Sequence, residues 1–335
     1  MRYRLLTLLL LFILGYGLSA WHFEFGKTEH QDYVFDSIDI ANITGALRTS
    51  PFGTEQKFLD LINNAQDRIY IQSYLVTNKK IITALQQASI RSGVDIKLMI
   101  ERRPYQSYRD DYAALEYYFS GTSIELLPDT QLGIDYLHAK LTIIDDAYIV
   151  QTANLTASSF TKNREHFLYG TSTDILSGLV QVFLDDWYDK VYYATDLQPN
   201  IVVCPINCRE VVEWLLSSAE KSIIIQTQYI TDPAIMNILK NKSSLDIQII
   251  VADVDSNDKI LSYFWPEKAR YLPKPYVHTK MILIDSKTLL VGSMNMSANS
   301  LDENREIGLL TLDAQVIQNF LWQFDKDRKL SKWRR

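Results

Sequence analysis

From about Ser50 onward the chain is one unit written twice, and this repeat restricts the fold more than any other feature. In the first half the segment EQKFLDLINNAQDR leads into the apolar run IYIQSYLV; in the second, REVVEWLLSSAEKS leads into IIIQTQYI. Each pair reads as an amphipathic helix, a short charged turn and a β-branched strand. A second strand follows in each half, VDIKLMI and LDIQIIV, then a His-containing strand, a return strand and an Asn-Arg-Glu triplet. Both halves close on an aromatic-rich helix, VFLDDWYDK and NFLWQFDKD. The alternation of helix and strand predicts an α/β fold of two similar lobes, each a mixed sheet flanked by helices. The lobes are expected at 48–195 and 200–330, joined through the polar stretch DLQPN, with 22–47 as a linker. The stretch 101–137 is longer than its counterpart and carries Tyr105, Tyr108, Tyr112, Tyr117 and Tyr118. It is expected to add a packed helix and turn.

A hydrophobic content of 47% supports a sizeable core and excludes disorder as the default. The net charge of -6 argues against a protein whose main task is holding nucleic acid non-specifically. Before the repeat, Arg2 and Arg4 precede the apolar run LLTLLLLFILGYGLSAW. Residues 1–21 therefore read as a membrane anchor or a cleaved signal peptide. Acidic residues dominate the stretch after it, so the body is expected on the extracytoplasmic side, membrane-anchored or secreted.

The only cysteines are Cys204 and Cys208. A local disulfide is available to them in an oxidising compartment. Extended chain would hold positions four apart too far from each other, so two unpaired thiols are the expectation. No second Cys/His pair stands nearby to complete a zinc site.

The chemistry is concentrated in two runs, HAKLTIID at His138–Asp145 and HTKMILID at His278–Asp285. Both are H-x-K-x-x-x-x-D. Their β-branched composition makes them strands, so His138 shares a face with Lys140, and His278 with Lys280. The return strands YIVQTAN and LLVGSMN bring Thr152 with Asn154, and Ser293 with Asn295. Each half thus offers an imidazole, an ammonium, a hydroxyl and a carboxamide. That set suits a phosphodiester: lysine faces the non-bridging oxygens, hydroxyl and amide donate to them, and imidazole attacks phosphorus or moves protons. Glu165 and Glu306, at the ends of the Asn-Arg-Glu triplets, recur at nearly the same distance from each histidine. A carboxylate on one ring nitrogen fixes the tautomer and raises the basicity of the other.

The duplicated H-x-K-x(4)-D motif, followed by a G-S-x-N-like turn, resembles the phospholipase D superfamily over about 50–327. The resemblance implies two lobes related by a pseudo-two-fold axis, with both histidines in one cleft. It implies a covalent phosphohistidine on one histidine and proton transfer by the other, and it favours the N-terminal His138 as nucleophile. It gives Asp145 and Asp285 a structural part, tying down strand and turn. The first half departs from the pattern at Gln151, which stands where the second half has Gly292 and is expected to crowd the turn around Thr152.

No metal and no other cofactor is expected, because the lysines supply the positive charge. The resemblance, with the apolar N-terminal run and with Phe264 and Trp265 before the second motif, favours a phospholipid substrate at a membrane surface. Water as acceptor would make a phospholipase D; a lipid alcohol would make a cardiolipin-synthase-like transferase. The alternative is an exported or tethered metal-independent endonuclease, for which Lys268, Arg270 and Lys274 count. A scaffold without activity is disfavoured, since no paired His, Lys or Asn is missing. A monomer is expected.

Overall fold

The computed structural model describes residues 40, 45–91, 93–105, 110–129, 132–264 and 267–333. The chain divides into a unit at Met1–Asp36, outside the described residues, and a unit at Ser37–Arg335 that holds the repeat.

The first half runs β1 (Gly45–Ser50), α1 (Thr54–Asn64), β2 (Arg68–Ser73), α2 (Lys79–Ser89), β3 (Asp95–Ile100), α3 (Asp111–Phe119), β4 (Glu125–Pro128), β5 (Lys140–Ile144), β6 (Ala147–Gln151), α4 (Ala157–Thr161), β7 (Asn163–Gly170) and α5 (Thr173–Trp187). The second runs β8 (Ile201–Cys204), α6 (Cys208–Ser217), β9 (Ser222–Thr227), α7 (Pro233–Asn241), β10 (Asp246–Ala252), α8 (Asp258–Tyr263), β11 (Ala269–Leu272), β12 (Tyr276–Val277), β13 (Lys280–Ile284), β14 (Thr288–Gly292), β15 (Glu306–Thr311) and α9 (Ala314–Leu330).

The helices form where apolar residues recur at helical spacing. In α1, Thr54, Phe58 and Ile62 stand one turn apart and are buried. Side-chain caps start several of them: Asn78 accepts from Lys80 N at α2, and Asp232 accepts from Ala234 N and Ile235 N at α7, beside Pro233.

Among the described residues the sheets order β1-β7-β6-β5-β2-β3-β4 and β8-β15-β14-β13-β9-β10-β11. Strand for strand this is one topology repeated. In each sheet the motif strand is antiparallel to its neighbours, whereas β2–β3–β4 and β9–β10–β11 are parallel. Every residue of β5 and β13 is buried, which is why these runs are apolar almost throughout. One apolar cluster draws on both sheets, with Tyr70, Ile143 and Phe183 from one half and Ile224, Leu283 and Phe324 from the other.

The repeat is joined by exchange. Strand β12, from the second half, pairs with β7 of the first, Val277 opposite Arg164. The matching bridge sets Leu137 opposite Arg305. Each half therefore lends the residue before its motif histidine to the other half's Asn-Arg-Glu triplet.

Two expectations are corrected. The cysteines pair: Cys204 and Cys208 form a disulfide with Cα atoms 4.7 Å apart. The chain between them is not extended, because Asn207 turns it back, donating from its backbone N–H to Val203 O and accepting at Oδ1 from Val203 N. The second correction concerns the membrane. The expected anchor or signal at 1–21 lies outside the described residues, and among those described no helix is long and apolar enough to cross a membrane. The longest, α9, has 17 residues and carries Asp325, Lys326, Asp327, Arg328 and Lys329 in its last turns. The expectation of a membrane-anchored or secreted body is withdrawn on this finding.

Candidate active site

The Asn-Arg-Glu triplets open β7 and β15, and the exchange just described carries each one to the other half's motif. Glu306 clamps His138: its carboxylate oxygens lie 2.9 and 2.8 Å from Nδ1. Glu165 clamps His278 at 2.8 and 3.0 Å from Nδ1. Asn163 Nδ2 donates to Glu165 Oε1 at 3.2 Å, and Asn304 Nδ2 to Glu306 Oε1 at 3.4 Å. Both glutamates are fully buried, while the histidine side chains keep 14% and 12% exposure. The rings are thus the part of each cluster that solvent or a substrate reaches. With Nδ1 donating to a carboxylate, Nε2 carries the free lone pair.

Lys140 and Lys280 are buried, each donating from Nζ to the carbonyl of its own motif histidine at 2.6 Å. Lys280 Nζ also lies 3.3 Å from His278 Nε2. Burial pulls Lys140 well below its ordinary pKa and Lys280 down to about 8, against the attraction of Glu165 and Glu306. Burial likewise lowers His138 to about 4, although Glu306 opposes it, and lowers His278 against Glu165. Burial raises the Glu306 carboxyl, but His138 and Lys140 together outweigh it and hold its pKa down. Each lysine acts electrostatically on the histidine of the other motif, so the two motifs form one electrostatic cluster.

The motif aspartates stand away from the rings. Asp145 takes the backbone N–H groups of Gln66, Asp67 and Arg68 at 2.8–3.1 Å, and Asp285 those of Glu220, Lys221 and Ser222 at 2.8–3.0 Å. Both have positive φ, 50° and 52°, at the turn out of the motif strand. They pin the helix-to-strand turns before β2 and β9.

The return-strand hydroxyls are already engaged. Thr152 Oγ1 donates to Glu165 Oε2 at 2.7 Å and accepts from His166 N. Ser293 Oγ accepts from Ile307 N at 3.0 Å and supports Glu306. Both hydroxyls are thus spent on the glutamate clamps and the neighbouring backbone. Asn154 and Asn295 each keep a buried Oδ1 without a hydrogen-bond partner. Gln151 does not displace Thr152, whose N–H bonds His166 O at 2.9 Å just as Ser293 N bonds Ile307 O at 3.0 Å.

Several neighbours escaped the sequence reading. The Tyr74 ring stands edge-on to His138 at 5.0 Å. Buried Glu101 accepts from Leu137 N at 2.8 Å, just before His138, and burial followed by the neighbouring Asp129 raises its pKa to about 7. Arg164 and Arg305 are buried and paired with Asp327 and Asp186. A signal for the two aspartates was present, since F-x-x-D closes both halves 22 residues after the arginine of the same half, but each arginine pairs with the aspartate of the other half.

Other expected contributors lie elsewhere. Phe264 is buried, and Trp265 is outside the described residues. Lys268 Nζ is occupied by the carbonyls of Ser243 and Leu245. In the long stretch of the first half Tyr112, on α3, is buried, Tyr105 and Tyr117 are exposed, and Tyr108 is outside the described residues.

Comparison with known proteins agrees with this architecture. Residues 58–187 and 213–328 match the family described as "Cardiolipin synthase, PLD-like domain". "Cardiolipin synthase 2" of Bacillus anthracis is 24% identical over 89% of this chain and 68% of its own length. "Cardiolipin synthase" of Staphylococcus aureus is 23% identical over 83% and 66%. The chain thus spans about two thirds of these curated relatives. Among solved structures, phosphatidylserine synthase from Haemophilus influenzae shares the fold with a TM-score of 0.70 at 14% identity, over 88% of this chain and 89% of that one. Polyphosphate kinase from Porphyromonas gingivalis shares it with a TM-score of 0.67 at 14% identity, over 85% of this chain and 50% of that one. With the family match covering both halves and both motifs inside it, this chain belongs to the cardiolipin synthase PLD-like domain family of the phospholipase D superfamily.

Proposed function

We propose that this protein is a phosphatidyltransferase of the cardiolipin-synthase type, acting on phospholipids through a phosphohistidine. The observation that carries this reading is the reciprocal clamp. Two imidazoles in one electrostatic cluster each have Nδ1 held by a buried glutamate, leaving both Nε2 atoms for chemistry. The names of the relatives, cardiolipin synthases in sequence and a phosphatidylserine synthase in fold, support a phospholipid donor and an alcohol acceptor.

In this mechanism His138 Nε2 attacks the phosphorus of the donor phospholipid. The P–O bond to the head-group alcohol breaks as His278 gives its Nε2 proton to the leaving oxygen. The acceptor alcohol then attacks phosphorus, His278 takes its proton, and the P–N bond breaks. The neutral form is the one His138 needs as nucleophile, and burial favours it, with a pKa near 4. The negative charge of a bound phosphodiester favours protonated His278 and protonated lysines, so substrate binding readies the acid. Lys140, Lys280, Asn154 and Asn295 line the phosphate position, and lysine charge stabilises the transition state.

The experiment uses the purified chain with phosphatidylglycerol labelled in its phosphate. Transfer gives cardiolipin, and quenching in alkaline detergent traps label on protein in an acid-labile, base-stable bond. His278→Asn still takes up label from a donor with an activated leaving group, and His138→Asn does not. Phosphatidic acid as the sole product would replace the alcohol acceptor with water. Cleavage of single-stranded DNA with inert lipid would overturn the phospholipid reading, and a wild type that never carries label would overturn the covalent step.

A further inference from the structure

The arginines of the Asn-Arg-Glu triplets do more than separate Asn from Glu. The carbonyl of Arg164 accepts the backbone N–H of His278 at 3.1 Å, and the carbonyl of Arg305 accepts that of His138 at 2.9 Å. The next residue in each case is the glutamate that holds the ring. One dipeptide therefore fixes a motif histidine at two points, backbone and imidazole, from the opposite half.

The arginine side chains run the other way, into the interior. Arg164 is 3% exposed and Asp327 is fully buried. Its Nε and Nη2 donate to the two Asp327 oxygens at 2.7 and 2.9 Å, and its Nη1 donates to Ser50 O. Asp327, near the end of α9, also accepts from Gln226 of β9 at 2.8 Å and from Gln323 at 2.9 Å. In the other half, Arg305 Nη2 lies 3.2 Å from Asp186 of α5, and Nη1 donates to Cys204 O at 3.0 Å. Asp186 accepts from Gln72 of β2 at 2.7 Å and from Tyr192 Oη at 3.0 Å. Gln72 and Gln226 stand opposite Leu141 and Met281, on the strands beside the two motif strands.

A buried ion pair stabilises a fold poorly against well-packed apolar residues of the same volume. What these pairs do supply is position: each aspartate ties the strand beside a motif to the arginine that seats that motif's histidine. On the functional reading above, we propose that Asp327 and Asp186 are positioning residues, Asp327 setting His278 through Arg164 and Asp186 setting His138 through Arg305. Neither aspartate touches a reacting atom. The two seats differ in rigidity. Arg164 makes a two-pronged contact, whereas Arg305 makes a single one and leaves its Nε without a partner.

The test compares Asp327→Asn and Asp186→Asn with Asp313→Ala, which loosens the start of α9 by removing its cap without touching Arg164. The full chain carries ¹³C-labelled histidine. In Asp327→Asn the ring resonance of His278 moves and that of His138 stays; in Asp186→Asn the reverse holds; Asp313→Ala moves neither. In turnover both Asn variants lose about 10- to 100-fold in kcat with KM within about threefold, as when a group orienting a functional ligand is removed. Each also copies the leaving-group dependence of the histidine it serves, Asp327→Asn that of His278→Asn and Asp186→Asn that of His138→Asn. Should the Asn variants not fold, Arg164→Lys and Arg305→Lys keep the charge, lose the planar fork and serve in their place. The proposal is overturned if both rings move together, if neither moves, or if Asp313→Ala moves His278 equally. A wild type without phosphohistidine would sink the functional reading alone, because the ring resonances still decide the positioning.

Discussion

The two halves carry the same bonds at their motifs with different packing behind them. Behind the second return strand, Gly292 faces Gly308, and a Cβ on Gly292 would lie 2.8 Å from Gly308 Cα and 2.5 Å from Met294 Sδ. In the first half the same positions hold Gln151, facing Phe167, with Ala153 in the place of Met294. Bulk has moved from one side chain to its neighbours. After Glu165 comes His166, whose Nδ1 meets Thr279 Oγ1 at 2.6 Å; after Glu306 comes Ile307, and Ala139 stands where Thr279 does. Yet the clamps, the lysine–carbonyl bonds and the aspartate turns coincide. The positions that bear chemistry are thus fixed by backbone pairing and short polar contacts, which leaves the volume behind them free to drift.

The sharpest way to break the equivalence is to remove one ring. His138→Ala and His278→Ala should each cost at least about 10³-fold in turnover, because groups acting as a unit are not additive. A steady-state assay showing either variant near half activity would mean two independent sites. Glu165→Gln and Glu306→Gln come next, with kcat losses of about 10- to 100-fold. Their effect should cross between halves. Glu306 opposes the burial that lowers His138, so in Glu306→Gln the His138 pKa drops further below about 4 while His278 is spared. Histidine NMR titration reads this directly, and movement of His278 in its place would refute the exchange.

Two smaller effects test the packing difference. Gly292→Ala should destabilise the fold by about 1–3 kcal/mol in urea titration, since the Gly308 backbone cannot yield. An unchanged midpoint would show that the crowding is harmless. The double variant His166→Ile with Thr279→Ala writes the second half's pair into the first. Burial, then Arg164, lowers His166 to about 3 from 6.5, so the wild type resists protonating it. Stability from this group is complete above pH 6.5 and is lost as pH falls toward 3, by at most about 1.4 kcal/mol per pH unit. The double variant should lose less between pH 7 and 4.5, and equal acid sensitivity in both proteins would remove His166 as the cause.

Much of this was legible in the sequence because the repeat and the motif both have short periods. Alternation on a strand is enough to place His138 with Lys140, and recurrence is enough to select Glu165 and Glu306. What was not legible depends on chain direction over long range. Nothing local says that Glu306 serves His138, or that β12 leaves its own sheet for β7. The disulfide was missed because an extended chain was assumed where Asn207 makes a turn. Arg164 and Arg305 received no role because their partners, Asp327 and Asp186, lie inside helices that read as packing elements.

The exchange of glutamates also sets a schedule. Glu306 is 168 residues from His138, and Glu165 is 113 from His278. A ribosome building this chain delivers the first motif, then the first glutamate, then the second motif, and only afterwards the carboxylate that His138 requires. Over those 168 of the chain's 335 residues the nascent polypeptide holds the His138 imidazole without its orienting carboxylate. The His138 clamp can close only once Glu306, the first residue of strand β15, has been made.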